Sequence, residues 1–266
     1  MVVIHVIILL LISLYVIHHY LYRLEFKQSF AQIEALYYLL LGKFPQKYNV
    51  ILEKYFLYYK KLNESEQKQF EHRLLSFIAS KEFIARKIPK ITDEMRVLIS
   101  ACAIQLSFGL PQVTFKHFNK ILVYPDDYYS TINKKYHKGE VNPAYKIIVL
   151  SWKAFLDAYI NPHDSKHLGL HEMAHALHLE NMIRNGEENF LDKTHLANFD
   201  AIALAACKDQ NHEALNFFRN YACADTHEFF AVAVENFFQR PREMREKLPQ
   251  IYQILSALLH QDPASK

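Results

Sequence analysis

Glycine is scarce in this chain, five in 266 residues, and proline is modest at nine. A loop-rich β-sandwich or a glycine-punctuated nucleotide fold needs more of both, and neither GxGxxG nor GxxxxGKS/T occurs. Charge of one sign is also missing. The net charge is only +3, with no dense Lys/Arg stripe, which argues against nucleic acid as a partner. Cysteine is limited to Cys102, Cys207 and Cys223, an odd count without CxxC spacing. That count predicts neither a disulfide framework nor a thiolate zinc ribbon, and it points to a reducing compartment. Apolar residues, by contrast, make up 51% of the chain, which excludes wholesale disorder, and there are 15 histidines.

One long hydrophobic run stands at the N-terminus. Residues 1–22, MVVIHVIILLLISLYVIHHYLY, contain no Asp, Glu, Lys or Arg. A transmembrane helix needs about 20 mostly apolar residues. A secretory signal needs a basic start and a small-residue cleavage site, and both are missing. The run therefore reads as a membrane anchor helix. Arg23 and Lys27 follow it and no basic side chain precedes it, so the charge asymmetry places residues 23–266 in the cytoplasm. A buried core helix in a soluble cytoplasmic protein is the alternative, into which His5, His18 and His19 fit more easily.

Behind the anchor the expected fold is α+β and predominantly helical, with a juxtamembrane helical segment over 23–62, one domain over 63–262 and a polar tail at 263–266. Asn63 with Glu66 predicts a capping box opening an amphipathic helix to about Phe83. Thr92 predicts the cap of a second helix that Gly109 stops. Between 111 and 152 the runs VTFKHF, KILVYP and KIIVLSW, separated by Pro125, Gly139 and Pro143, predict a small sheet of about three strands. After Pro162 the pattern returns to helix.

The chemistry concentrates in DSKHLGLHEMAHALHLEN, where His171-Glu172-Met173-Ala174-His175 matches HExxH. Residues four apart share a helix face, so the two imidazoles can converge on one Zn²⁺ with Glu172 beside the open coordination position. The flanks are apolar, and Ser165 is positioned to cap the helix. Two His and a Glu on a buried helix are costly unless paired or bound to metal. Zinc needs a third protein ligand, and Glu228 in YACADTHEFFAVAVENFFQRP is the candidate, on a helix expected between Asp225 and Pro241. The competing reading makes Asp225 and Glu228 a capping box and nothing more. Glu235 shares the face of Glu228. Either Asp200 or Glu235 can accept the outer N–H of a ligating His, and spacing does not choose. His167 and His178 are expected in surface or supporting roles, Cys223 as a buried thiol and Trp152 in the core.

HEMAHALHLEN followed by YACADTHEFFAVAVENFF resembles the zinc-dependent peptidases of the Mlc titration factor A family, related at the site to the anthrax lethal factor catalytic domain. ILVYPDDYY, GEVNP and VLSW resemble it as well, so the likeness covers roughly residues 60–240. It implies a zincin-like metallopeptidase domain with one Zn²⁺ on His171, His175 and Glu228, and Tyr221 lining the site seven residues before Glu228. Two departures stand out: His178 occupies a position that is often Asp in the family, and the N-terminal hydrophobic run is foreign to its cytosolic archetype. The implied reaction is hydrolysis of a peptide or protein substrate, with Glu172 as base and Tyr221 donating a hydrogen bond to the oxyanion. KIIVLSW is a candidate for holding an extended peptide by β-augmentation, or else a purely structural strand. The family takes its name from sequestering a transcriptional repressor, so a regulatory binding protein, with a transcriptional regulator as partner, is the alternative function.

Overall fold

Helices supply most of the architecture in the computed structural model, which describes residues 26–130, 134–160, 166–209 and 212–265. The expected anchor, residues 1–22, lies outside them. Among the described residues no helix is long and apolar enough to cross a membrane. The chain opens with α1 (Phe26–Leu40), α2 (Gln46–Tyr55) and the single turn α3 (Leu57–Lys60).

The predicted capping box forms. Asn63 Oδ1 accepts from the Glu66 backbone N–H at 3.0 Å and Glu66 returns the bond at 3.0 Å, opening α4 (Glu64–Ser80). That helix stops short of Phe83, because residues 82–85 form strand β1 (Glu82–Ala85) instead. Thr92 Oγ1 accepts from Met95 N–H at 3.2 Å and caps α5 (Asp93–Ser107), which is buried continuously from Val97 to Ser107. Arg73 on α4 covers the far end of α5, donating to the carbonyls of Ser107 and Phe108 at 2.9 Å. These are carbonyls that a helix end leaves without partners. Gly109 follows where a Cβ would stand 2.2 Å from the Leu259 carbonyl oxygen, so close backbone packing requires glycine there.

Two of the three predicted strands are present, as β2 (Lys120–Tyr124) and, further on, β6 (Ile147–Ser151). VTFKHF is not a strand. Phe115 takes a left-handed φ of 55°, and its carbonyl accepts from the buried Lys81 Nζ at 2.6 Å, so a tertiary contact replaces strand pairing. Between β2 and β6 lie the hairpin β3 (Tyr128–Ser130) with β4 (Lys135–His137), and β5 (Gly139–Asn142). The main sheet has the order β1-β2-β6-β5, parallel except for β5, which runs antiparallel to β6 with Gly139 opposite Leu150. Side chains alternate between faces. Ile121, Val123, Ile148 and Leu150 enter the main core, while Leu122, Val149 and Tyr128 form a small cluster on the other face.

The second half is α6 (Trp152–Ile160), α7 (Leu168–Met182), α8 (Lys193–Lys208), α9 (Glu213–Phe217), a 3-10 turn (Asn220–Ala224), α10 (Thr226–Gln239), α11 (Pro241–Lys247) and α12 (Pro249–Leu259). α7 packs against α5 and α10. The molecule is thus α+β, mostly helical with a small sheet. The cysteine expectation is corrected. Cys207 at the end of α8 and Cys223 in the 3-10 turn form a disulfide with a Cα separation of 5.5 Å, and buried Cys102 is the free thiol. A 16-residue separation in sequence gives no hint of this proximity; the return of the chain after α9 creates it.

Candidate metal centre

α7 positions the HExxH side chains. Its N-cap is His167, whose Nδ1 accepts from Leu170 N–H at 3.2 Å; Ser165, the expected cap, lies outside the described residues. His171 and His175, one turn apart, bring their Nε2 atoms to 3.1 Å of each other. α10 supplies the carboxylate from the facing side. Asp225 caps α10 by accepting from Glu228 N–H at 2.8 Å. The Glu228 side chain does not close a box with it. Its carboxylate turns to the imidazoles, with Oε2 3.2 Å from His171 Nε2 and Oε1 3.4 Å from His175 Nε2.

These residues fit a metal. His171, His175 and Glu228 each offer one ligand atom, all within 4.8 Å of one another. Glu228 Oε2 is buried and has no hydrogen-bond partner. Two imidazoles and a carboxylate are the donor set of one class of catalytic zinc site, which leaves a fourth position open.

Glu235 resolves the choice that spacing left open. It is fully buried, and its Oε1 lies 2.7 Å from His171 Nδ1. An acceptor there holds a proton on Nδ1, so that Nε2 is the nitrogen that gives up its proton and turns its lone pair to the cluster when a metal binds. Glu235 Oε2 also accepts from the His167 backbone N–H at 2.7 Å, joining the start of α7 to α10. Asp200 does not take part; its buried Oδ1 has no partner. His167 and His178 are both buried, contrary to a surface role. Burial holds each near 4 and therefore neutral, helped for His178 by His227, whose Nδ1 is 3.1 Å from its own.

The charges reinforce one another. Burial works against a proton on His171, but Glu228 and Glu235 outweigh it and carry the imidazole up to about 10. Burial pushes Glu172 up to about 6, only partly opposed by the two imidazoles. Glu228 is driven well below the usual carboxylate range, because His171 and His175 overcome its desolvation. Tyr221, more than half exposed in the 3-10 turn, is pushed up to about 12 by partial desolvation and by Glu228, so the phenol keeps its proton.

Two cavities flank the cluster and share His171, Glu172 and Tyr221. One, of about 400 Å³, is lined also by Lys138, Lys166 and Arg219; the other, of about 380 Å³, by Glu140, Asp225 and His227. Strand β5 borders both, and it is the edge of the sheet beside the site. KIIVLSW cannot serve as that edge, since β6 is paired with β2 on one side and β5 on the other.

Two residues at the site carry almost no signal in the sequence. Gly139 is legible there only as a break between runs, yet a Cβ at this position would fall 2.3 Å from Glu172 Oε1. Arg219 stands two residues before Tyr221, donates to Glu235 and lies 3.4 Å from His171 Nδ1. A lone Arg in the aromatic stretch NFFRNY is its only mark.

Two other proteins are similar to this chain over most of its length. An uncharacterized protein of Synechocystis sp. is 24% identical over 226 residues, covering 79% of this chain and 82% of its own. Mlc titration factor A of Yersinia enterocolitica is 24% identical over 234 residues, covering 77% and 82%. The model of one family, described as glucose-regulated metallo-peptidase M90, matches residues 34–260, which take in α7, the 3-10 turn and α10 together. By that match over most of its length, the chain belongs to the glucose-regulated metallo-peptidase M90 family.

Proposed function

We propose that this chain is a zinc-dependent peptidase whose metal is held by His171, His175 and Glu228. One observation carries the reading: three ligand atoms from two helices converge within 4.8 Å beside a buried carboxyl, Glu172. Zinc in that position would polarise a water molecule and the peptide carbonyl. Glu172, with its affinity for protons raised to about 6, takes the proton of the attacking water and passes it to the leaving amine. The Tyr221 phenol donates a hydrogen bond to the carbonyl oxygen as that oxygen gains charge. Glu235 holds the His171 ring in the ligating tautomer. The outer edge of β5 receives an extended peptide substrate by main-chain pairing, with Gly139 leaving room for Glu172.

Metal analysis of the purified full-length protein tests the assignment. The wild type should hold about one zinc per chain in a three-ligand site, and Glu228→Ala should lose most of it while keeping its helical signal. Full zinc retention by Glu228→Ala would leave Asp225 and Glu228 as a helix cap only.

The name of the Yersinia relative, a titration factor, favours a second reading, in which the chain binds a transcriptional regulator. Copurification of such a regulator with the metal-free Glu228→Ala protein, together with absence of peptidase turnover in the wild type, would select it.

The anchor belongs to the same proposal: residues 1–22 span a membrane and the charge asymmetry leaves the domain on the cytoplasmic side.

A further inference from the structure

α1 is apolar on two sides. Its inner side packs on α4 and β1, with Ala35 fully buried and Gln32 Nε2 donating to the Lys81 carbonyl at 3.0 Å. Its outer side exposes Ile33, Leu36, Tyr37, Leu40 and, just past the helix, Leu41, with Leu40 88% exposed. Positions i, i+3, i+4, i+7 and i+8 form one continuous stripe. Glu34, the one acidic residue of α1, is drawn off to Lys47 at 2.8 Å. A contiguous exposed apolar patch marks a contact surface.

The position of the stripe in the chain identifies what covers it. α1 begins four residues after the charge-free run 1–22, which as a helix would measure about 33 Å against a hydrocarbon core of about 30 Å. Folding that run back over α1 would hide these five side chains but expose the outer face of a second helix with no charge on it. A second copy docking on α1 would leave the run itself uncovered. A bilayer covers both at once. Resting on the anchor reading above, we infer that α1 lies along the membrane surface as an interfacial helix, its Ile33–Leu41 stripe sunk at the headgroup–acyl boundary of a phospholipid bilayer. Amphipathic helices with an apolar face of this kind bury it about 5–10 Å into that boundary. Because the other side of α1 is packed on α4 and β1, the helix also fixes how the catalytic domain stands on the membrane.

The full-length protein suits a spin-label test without background substitutions, because Cys102 is buried and Cys207 and Cys223 are joined. Nitroxides would be placed through Leu36→Cys, Leu40→Cys and, as a water-facing control on α11, Lys247→Cys. The protein would be reconstituted in phosphatidylcholine–phosphatidylglycerol vesicles and floated after an alkaline wash. Collision rates with oxygen, which concentrates in lipid, and with a nickel chelate, which stays in water, are then compared. The inference expects oxygen to dominate at positions 36 and 40 and the chelate to dominate at 247. A chain that floats while positions 36 and 40 meet the chelate as freely as 247 overturns this inference and spares the anchor. Labels at 36 and 40 that meet neither reagent also overturn it, because protein, either residues 1–22 or a second copy, then covers the stripe. A chain that fails to float removes the anchor reading and this inference together.

Discussion

α7 and α1 break the usual distribution of polarity in opposite directions. α7 buries His171, Glu172, His178, Glu180 and Asn181 in the middle of the domain, whereas α1 turns Ile33, Leu36, Tyr37 and Leu40 outward, with Leu41 just past its end. Both departures need compensation. On α7 it comes from inside the protein: Glu235 answers His171, the His117 backbone N–H bonds Glu180 at 3.0 Å, and Asn181 Oδ1 accepts from Leu191 N–H at 2.8 Å. His171, Glu172 and His175 together line one of the cavities beside the cluster. On α1 nothing in the described protein covers the stripe.

The contrast can be broken at its chemical end first. Glu172→Gln keeps the shape and the metal set of α7 but removes its base, and turnover should fall by about 10²–10⁴-fold. The check is peptide hydrolysis at matched zinc content. Leu170, next to the motif and fully buried, should cost about 2–5 kcal/mol of unfolding free energy when cut to Ala, read from denaturant titration. Reducing the Cys207–Cys223 disulfide, or substituting Cys207→Ser, should lower stability by about 3 kcal/mol by the loop-closure argument for a 16-residue separation. It should also loosen the 3-10 turn that carries Tyr221, and thermal melts with and without reductant measure the first effect.

Tyr221→Phe removes one donor and almost no volume, so the fold and zinc content should survive while turnover drops on the order of 10²-fold. Equal rates for the variant and the wild type would make Tyr221 a packing residue. At the other end of the comparison, Leu40→Ala should change the unfolding free energy by no more than about 0.5 kcal/mol, because the side chain is 88% exposed. The same leucine-to-alanine change at positions 170 and 40 thus separates a core from a contact surface. A large loss at position 40 would mean that protein already covers α1.

Features governed by local spacing are legible in the sequence alone. Asn63, Thr92 and Asp225 each cap the helix their sequence context predicts, because a capping bond reaches only three residues ahead. The two HExxH imidazoles come together because helical pitch alone puts i and i+4 on one face. VTFKHF fails as a strand for the opposite reason. β-propensity expresses fit to a half-buried pleated surface, and Phe115 meets Lys81 there in place of a neighbouring strand. The helix from Asn63 ends at Ser80, short of the length its pattern predicts. Phe83 continues the apolar periodicity, but pairing with Ile121 on β2 decides that it is strand.

The choice of Glu235 over Asp200, the place of β5 and not β6 at the sheet edge, the fit of Gly139 over Glu172 and the joining of Cys207 to Cys223 all depend on residues far apart in the chain. Periodicity can say which face of an element a residue occupies. It cannot say which element lies opposite, because that follows from packing whole layers around one core. The motif, its helix and the acidic candidate on a second helix are therefore written in the chain. The partner that orients His171, the edge strand beside the site and the bond that tethers Tyr221 come into being only when α7, α8, α10 and the sheet close on one another.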